Sequence, residues 1–109
     1  MFLEIRTYRL RPGTRDDFVA AMAAAQPLLA RYGIDVVDFG ASLVAEDGHE
    51  EAYLIRRFAS LEERAAKEEA FYGSDEWRDG PRAAVVAPIE SYHTIVLPAS
   101  ALAEKSALG

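Results

Sequence analysis

The chain has 109 residues, which leaves room for one domain with one hydrophobic core. Half of the residues are hydrophobic and 28% are charged, a balance that predicts a folded chain rather than a disordered one. The 12 Lys and Arg residues stand against 18 Asp and Glu residues, and the net charge of −6 disfavours binding to nucleic acid or to an anionic membrane. There is no cysteine, which excludes disulfides and thiolate chemistry, and no apolar run reaches the ~18 residues of a membrane span. We therefore expect a cytoplasmic protein.

The first third of the chain predicts a strand followed by a helix. Residues Phe2 to Leu10 are rich in alternating and β-branched side chains, and the strand ends at the turn Arg11-Pro12-Gly13. Thr14 is the candidate N-cap of a helix whose apolar residues recur every three or four positions as far as Tyr32. Pro27 lies inside this helix and predicts a kink or a break into two pieces.

The middle of the chain predicts a β-hairpin. Residues Ile34 to Ala45 form the second strand, and Glu51 to Phe58 form the third. The turn between them, Glu46 to His49, contains an Asp-Gly pair that favours a tight hairpin. The two strands should therefore pair antiparallel.

The last third of the chain predicts an interrupted helix and a final strand. Ser60 and Glu63 form a capping box that opens the helix, and Ser74 restarts it after Tyr72-Gly73. Gly80-Pro81 interrupts the helix again before the fourth strand, Ile89 to Leu97. We therefore expect a domain over residues 1–97 and a C-terminal tail over residues 98–109.

The order β-α-β-β-α-β is the split pattern of ferredoxin-like α+β folds, a four-stranded antiparallel sheet with both helices on one face. Nothing in the chain covers the other face, on which we expect Tyr8, Phe39 and Tyr53. Such an apolar surface predicts a homodimer in which a second copy covers the sheet.

Four segments in this order and spacing resemble the NIPSNAP family. They span residues 2 to 97 and are Glu4-Ile5-Arg6-Thr7-Tyr8-Arg9-Leu10-Arg11-Pro12-Gly13, Pro27-Leu28-Leu29-Ala30-Arg31-Tyr32-Gly33-Ile34, Tyr53-Leu54-Ile55-Arg56-Arg57-Phe58-Ala59-Ser60-Leu61-Glu62-Glu63-Arg64, and Ser74-Asp75-Glu76-Trp77 with Gly80-Pro81-Arg82. The resemblance implies a dimeric α/β barrel. Related barrel groups include haem-degrading and cofactor-free monooxygenases, isomerases and dehydratases, so the fold does not choose a reaction.

The first strand supplies the leading site candidates, because Glu4, Arg6 and Tyr8 alternate onto one face. Leu3, Ile5 and Thr7 form the more apolar set, so we expect the polar set to face the barrel interior. There Arg6 would hold a carboxylate or enolate and Tyr8 would donate to a carbonyl oxygen. The alternative is an ion pair of Arg6 with Glu4 or Asp38, with Tyr8 packed at the dimer seam.

Strands three and four supply secondary candidates. Tyr53 could reach the same cavity, or be a core tyrosine whose hydroxyl bonds to the backbone. His93 is the candidate general base, because imidazole titrates near neutral pH. His93 lies an even number of residues from Ile89, Ile95 and Leu97, so it should share a face of the strand with them. This pattern favours the helix-packed face for His93 and the barrel interior for Tyr92.

The helical residues are interpreted mainly as structural. Trp77 is expected in the core, with a cavity-lid role as the alternative, and the acidic run Glu62 to Glu69 is expected to be a solvated helix face. With His49 in a turn and no cysteine, the sequence predicts no metal site and no cofactor. Haem ligation by His93 stays open as a third alternative.

These observations favour a homodimer that binds a small carbonyl-containing or aromatic metabolite in its barrel, as a cofactor-independent monooxygenase or isomerase or as a binding protein. The expected site residues are Arg6, Tyr8 and His93 for catalysis, and Glu4, Asp38, Tyr53, Tyr92 and Trp77 for ligand binding. The competing hypothesis is a non-catalytic protein-interaction module.

Overall fold

The computed structural model describes residues 1–102, which form one four-stranded antiparallel sheet and four helices. The strands are β1 (Phe2–Leu10), β2 (Asp35–Ala41), β3 (Glu51–Phe58) and β4 (Ile89–Pro98), in the spatial order β2-β3-β1-β4. The helices are α1 (Arg15–Arg31), α2 (Leu61–Tyr72), α3 (Asp75–Asp79) and α4 (Arg82–Val86). The predicted ferredoxin-like α+β architecture is confirmed. Ala99–Leu102 form a short 3-10 helix, and the rest of the predicted tail lies outside the described residues.

Side chains cap α2 and α3 as the sequence predicts, but not α1. The hydroxyls of Ser60 and Ser74 accept hydrogen bonds from the third residue of their helices. Thr14 makes no such bond, because its hydroxyl donates to the carbonyl of Arg11. The carboxylate of Glu50 takes its place, accepting from the backbone N–H groups of Gly13 and Arg15 at 2.6 and 3.1 Å. Thr14 therefore occupies the predicted N-cap position, but the capping carboxylate comes from a distant loop.

Two predicted element boundaries also differ from the structure. Helix α1 continues through Pro27 as one helix, so of the predicted kink or break the break does not occur. Strand β2 ends at Ala41 instead of Ala45, and the last part of the predicted strand belongs to the loop before β3. The turn itself forms at the Asp-Gly pair, where Asp47 and Gly48 have φ angles of +54° and +75°. The pair lies in the short 3-10 turn Glu46–Gly48, within a loop over residues 42–50 that is longer than the two-residue connection an Asp-Gly pair favours.

Cross-strand pairing separates the sheet into two faces. The covered face, against which the helices pack, carries the directly opposed pairs Glu4↔Arg56, Arg6↔Leu54 and Tyr8↔Ala52. The open face carries Ile5↔Ile55 and Thr7↔Tyr53 between β1 and β3, and Ile5↔Ile95 and Thr7↔His93 between β1 and β4. The polar set of β1 therefore faces the helices, which is the reverse of the predicted arrangement.

The hydrophobic core lies between the covered face and the helices. Phe18 and Met22 of α1 and Phe71 of α2 are almost fully buried there, together with Leu54 and Phe58 of β3. Tyr8 belongs to this core, with its ring 4.7 Å from that of Phe18, and Phe39 packs against it. The prediction that Tyr8 and Phe39 lie on the open face was wrong.

Candidate functional site

A cavity of about 360 Å³ lies between the covered face and the helices, next to the hydrophobic core. Its apolar wall includes Met22, Leu29, Phe71, Trp77 and Val85. At the other end Arg6, Tyr8, Glu68, Tyr72 and Tyr92 bring polar and charged groups to the same space. An apolar pocket of this size with a few convergent polar groups is the usual form of a small-molecule site.

Arg6 of β1 is fixed at the polar end by neighbours on two elements, β4 and α2. Its Nε donates to Oγ1 of Thr94 on β4 at 2.9 Å, and its Nη1 donates to the Tyr72 hydroxyl on α2 at 3.3 Å. Its Nη2 lies 3.7 Å from Oε1 of Glu68, and the Tyr92 ring centre lies 5.0 Å from its guanidinium carbon. These contacts orient a cation whose side chain is only 14% exposed.

Behind Arg6 lies a fully buried ion pair. Arg56 of β3 donates from both Nε and Nη2 to Oε1 of Glu4 on β1, and its Nη1 donates to the Tyr72 hydroxyl at 2.8 Å. Arg64 of α2 donates from Nε to the second oxygen of Glu4 at 2.6 Å. Burial alone would raise the pKa of Glu4, but the surrounding hydrogen bonds and guanidinium charges outweigh it and lower the pKa to about 2. Glu4 therefore remains ionised.

Glu68 of α2 differs from Glu4 although both contact the same arginines. Its Oε2 lies 3.3 Å from Arg64 Nε and 3.6 Å from Arg56 Nη2, and this buried oxygen has no hydrogen-bond partner among the described residues. Burial raises the pKa of Glu68 to about 7, and the adjacent Glu4 carboxyl adds to the effect. The site thus holds a carboxyl group that changes its charge near neutral pH.

Tyr8 and Trp77 complete the cavity. Burial raises the pKa of Tyr8 to about 12, so its phenol stays neutral and can donate a hydrogen bond at any physiological pH. Trp77 is held on α3 behind the Ser74 cap, and its ring packs against Phe71 and Tyr72 at 5.1 and 5.4 Å between centres. The predicted core role of Trp77 and a place on the cavity wall are therefore compatible.

The structure brings four of the predicted site residues together, but in a different place from the one predicted. Arg6, Tyr8, Trp77 and Tyr92 all line the cavity, and Glu4 lies beneath it. The expectation that Arg6 and Tyr8 enter the barrel interior was wrong, because α2 supplies the buried partners that a charged face of β1 requires. Neither of the two alternative partners, Glu4 or Asp38, pairs with Arg6 in the structure; the carboxylate at ion-pair distance from Arg6 is that of Glu68.

The other three predicted residues lie on the open face. The Tyr53 hydroxyl donates to Oδ2 of Asp38 at 2.8 Å, which raises the pKa of Tyr53. His93 is exposed opposite Thr7. The even spacing between His93 and Ile89 does not place them on the same face, because the pairing of β1 with β4 shifts register between Arg9 and Leu10. These residues do not share a cavity with Arg6, and haem ligation by His93 inside that cavity is therefore unsupported.

Sequence analysis missed Arg56, Arg64, Glu68 and Tyr72. Arg56 carried a usable signal, because it interrupts the otherwise apolar alternation Ala52, Leu54 and Phe58 on the covered face of β3. A charged residue in such a position requires a partner, and Glu4 is its direct neighbour on β1. Arg64, Glu68 and Tyr72 recur every four residues and share one side of α2, which the charge-rich composition of the run concealed.

Within residues 1–102, no group of three or more His, Asp or Glu side chains is arranged to hold a metal ion. None of the helices in this part of the chain is long and apolar enough to cross a membrane. The cavity is therefore the site on which the functional argument rests.

The fold and the cavity define a ferredoxin-like α+β domain with a pocket between its sheet and its helices. The NIPSNAP family model matches residues 3–101, and the chain belongs to the NIPSNAP family. An uncharacterised NIPSNAP domain protein from Burkholderia xenovorans is 19% identical, with a TM-score of 0.79 over 96% of this chain and 100% of its own. A NIPSNAP family protein of unknown function from Agrobacterium tumefaciens is 23% identical, with a TM-score of 0.77 over 89% of this chain and 86% of its own.

The same fold extends beyond the family. A protein from Bordetella bronchiseptica, assigned by its name to the antibiotic biosynthesis monooxygenases, is 20% identical with a TM-score of 0.70 over 89% of this chain and 94% of its own. No curated relative matches the chain. At these identities the likeness to solved structures establishes the fold, and the reaction must be argued from the cavity.

Proposed function

We propose that the protein binds a small metabolite that has an aromatic or apolar body and a carbonyl or carboxylate group. One observation carries this proposal: the cavity joins an apolar wall to an end where the partly buried cation Arg6 and the neutral donor Tyr8 lie side by side on β1. The body of such a ligand would contact Trp77 and Phe71, and its oxygen would accept hydrogen bonds at the polar end. This is the carbonyl-containing or aromatic metabolite class that the sequence favours. The proposed binding site is the cavity between the sheet and the helices instead of the barrel interior.

The charges around the cavity favour an oxygen that carries or develops negative charge. Arg6, Arg56 and Arg64 place three guanidinium groups around two carboxyl groups, so the cluster has a net positive charge even when both carboxyls are ionised. Donors that are already fixed in place stabilise a developing oxyanion most effectively, because they need no reorganisation during the reaction. This supports a cofactor-independent enzyme, of the monooxygenase or isomerase kind, over a passive carrier.

The proposal includes a homodimer that covers the open face. Ile55, Ile5 and Ile95 form a row across β3, β1 and β4, and Ile95 is 49% exposed. Leu97, which is partly buried, extends this apolar row on the same face. A second copy of the chain would remove these side chains from water, at a gain of about 25 cal/mol per Å² of apolar surface. The proposed dimer leaves the ligand cavity within each subunit.

The ligand proposal is tested by thermal shift with a panel of phenylpyruvate, benzoate and acetophenone. At 100 times its dissociation constant a ligand stabilises the folded state by about 2.7 kcal/mol, which raises the melting temperature by several degrees. We expect the two compounds with a carboxylate to act most strongly. Arg6→Met should abolish their shift, and Arg9→Met, three residues along the same strand on the exposed side, should retain it.

Two results would contradict the proposal. Either no compound of the panel changes the melting temperature of the wild type, or the Arg6 variant keeps the full ligand-induced shift. The comparison uses the difference with and without ligand for each variant, so that a change in intrinsic stability does not affect it.

A further inference from the structure

The carboxyl groups of Glu4 and Glu68 lie next to each other at the cavity but have different hydrogen-bond partners. This difference suggests a chemical role for Glu68. Glu4 is completely buried and accepts hydrogen bonds from Arg56 and Arg64 on both of its oxygens. Glu68 borders the cavity, and its nearest guanidinium nitrogens lie at 3.3 to 3.7 Å. Carboxyl pairs whose surroundings separate their proton affinities are a common source of an acid or a base in enzymes.

We propose that Glu68 is a catalytic residue that removes and returns a proton at the carbon next to the carbonyl group of the bound ligand. The inference rests on the proposed function, because it requires a ligand whose carbonyl oxygen lies at Arg6. Glu68 Oε1 lies 3.7 Å from Arg6 Nη2, so the α-carbon, two bonds away from that oxygen, would bring its hydrogen within reach of the carboxylate. The reaction class is keto–enol isomerisation or another reaction that begins with enolisation.

The proposed step is balanced within the site. The Glu68 carboxylate takes the α-proton, the electrons of the C–H bond form the C=C bond, and the carbonyl electrons move to the oxygen. The resulting enolate is stabilised by the charge of Arg6 and by hydrogen-bond donation from Tyr8. Glu68 then returns the proton to the carbon or to the oxygen, so that no oxidant, reductant or cofactor is consumed.

The surroundings of Glu68 are suited to this cycle. It faces Glu4 and Arg6 of β1, Arg56 of β3, and Arg64 of its own helix, with Tyr72 one turn further along α2. After Glu68 has taken the proton, its carboxyl group can donate to Glu4, which remains ionised. A pKa of about 7 lets the same group accept and release a proton near neutral pH.

The test uses phenylpyruvate and follows exchange of its α-hydrogens with D₂O by proton NMR. We expect the wild-type protein to accelerate exchange, with a rate that rises with pH and levels off above about pH 7, where Glu68 is ionised. Glu68→Gln should reduce the catalysed rate by ~100-fold or more, while the phenylpyruvate-induced thermal shift persists. Glu69→Gln, the exposed neighbour on the same helix, is the matched control and should keep the wild-type rate.

Each outcome separates this inference from the proposed function. Phenylpyruvate that binds without accelerated exchange overturns the role of Glu68 and leaves the binding proposal standing. Exchange that is equal in the wild type and in Glu68→Gln also overturns it. If no panel compound binds, the proposed function fails and the inference fails with it. If the Gln variant does not fold, the wild-type pH profile decides: a rate that does not change between pH 5.5 and 8 overturns the inference.

Discussion

Each face of the sheet carries some side chains that are unusual for their surroundings. The covered face buries Glu4 and Arg56 completely, whereas the open face exposes Ile95 and part of Ile5 and Ile55. Burying charges costs free energy unless each charge finds partners, and the covered face supplies them from α2. Exposing a row of isoleucines also costs free energy unless another molecule covers them. We therefore assign the proposed chemistry to the covered face and the proposed association to the open face.

Two adjacent residues of β3 show the contrast on the smallest scale. Arg56 and Arg57 each donate from Nε to a carboxylate oxygen, at 2.7 Å to Glu4 and at 3.0 Å to Asp35. The first pair has no exposed side-chain surface, and the second pair is 42% and 57% exposed. Water screens the second pair but not the first, so similar geometry should have different energetic consequences.

The largest expected effect is the loss of the buried arginine. Arg56→Ala leaves the carboxylate of Glu4 with Arg64 as its remaining close partner, and breaking a buried pair in this way costs about 3–5 kcal/mol. Arg57→Ala on the open face should cost about 0–1 kcal/mol. Urea unfolding of both variants at pH 7 measures the two values. A loss of the same size for both would contradict the comparison.

The second effect concerns the pH dependence of stability. The folded-state pKa of Glu68 is raised from 4.5 to about 7, so the folded state binds more protons than the unfolded state between these values. The free energy of unfolding should therefore fall as pH rises through this window, by up to ~3 kcal/mol, since each pKa unit corresponds to about 1.4 kcal/mol. Glu68→Gln removes this contribution and should be more stable than the wild type at pH 8. The two proteins should be closely similar near pH 4.5.

Urea titrations at several pH values measure this effect, with Glu69→Gln as the control for loss of a negative charge on α2. The opposite trend applies to Glu4, whose folded pKa of about 2 lies below the ordinary value. Its contribution to stability is present above about pH 4.5 and is lost as pH falls toward 2. A wild-type stability that stays constant between pH 4.5 and 7 would show that Glu68 is held as an ordinary exposed carboxylate.

Local patterns in the sequence were sufficient to predict the fold. The Ser60–Glu63 capping box, the Ser74 cap and the Asp47-Gly48 turn each act within four residues, and the structure forms all three. The alternation of β1 also showed correctly that Glu4, Arg6 and Tyr8 share a face. What the sequence could not reveal was which face this is, because a period-2 pattern separates the two sides of a strand without labelling them.

The prediction failed at the site because it treated charge as a guide to solvent exposure. Arg6 and Glu4 lie toward the helices because Glu68, Arg64 and Tyr72 meet them there, from 60 or more residues away along the chain. The face predicted for His93 was wrong for a different reason. The register shift beyond Arg9 places Ile89 and His93 on opposite faces of the sheet. Both errors concern long-range pairing, which local propensity does not encode.

A substitution on the open face should have the smallest effect on subunit stability. The same substitution should have the largest effect on assembly. Ile95→Lys adds a charge at a residue that is 49% exposed, and it should change the free energy of unfolding of the isolated subunit by no more than ~0.5 kcal/mol. The lysine would have to lose its water if a second copy covers the sheet, so the proposed dimer should dissociate. Sedimentation at micromolar concentration should then give twice the subunit mass for the wild type and one subunit for the variant. Leu43→Lys, at a fully exposed position in the loop between β2 and β3, should remain dimeric. A wild type that sediments as one subunit would contradict the proposed dimer. The isoleucine row would then be exposed to water, and only the covered face would carry a proposed functional site.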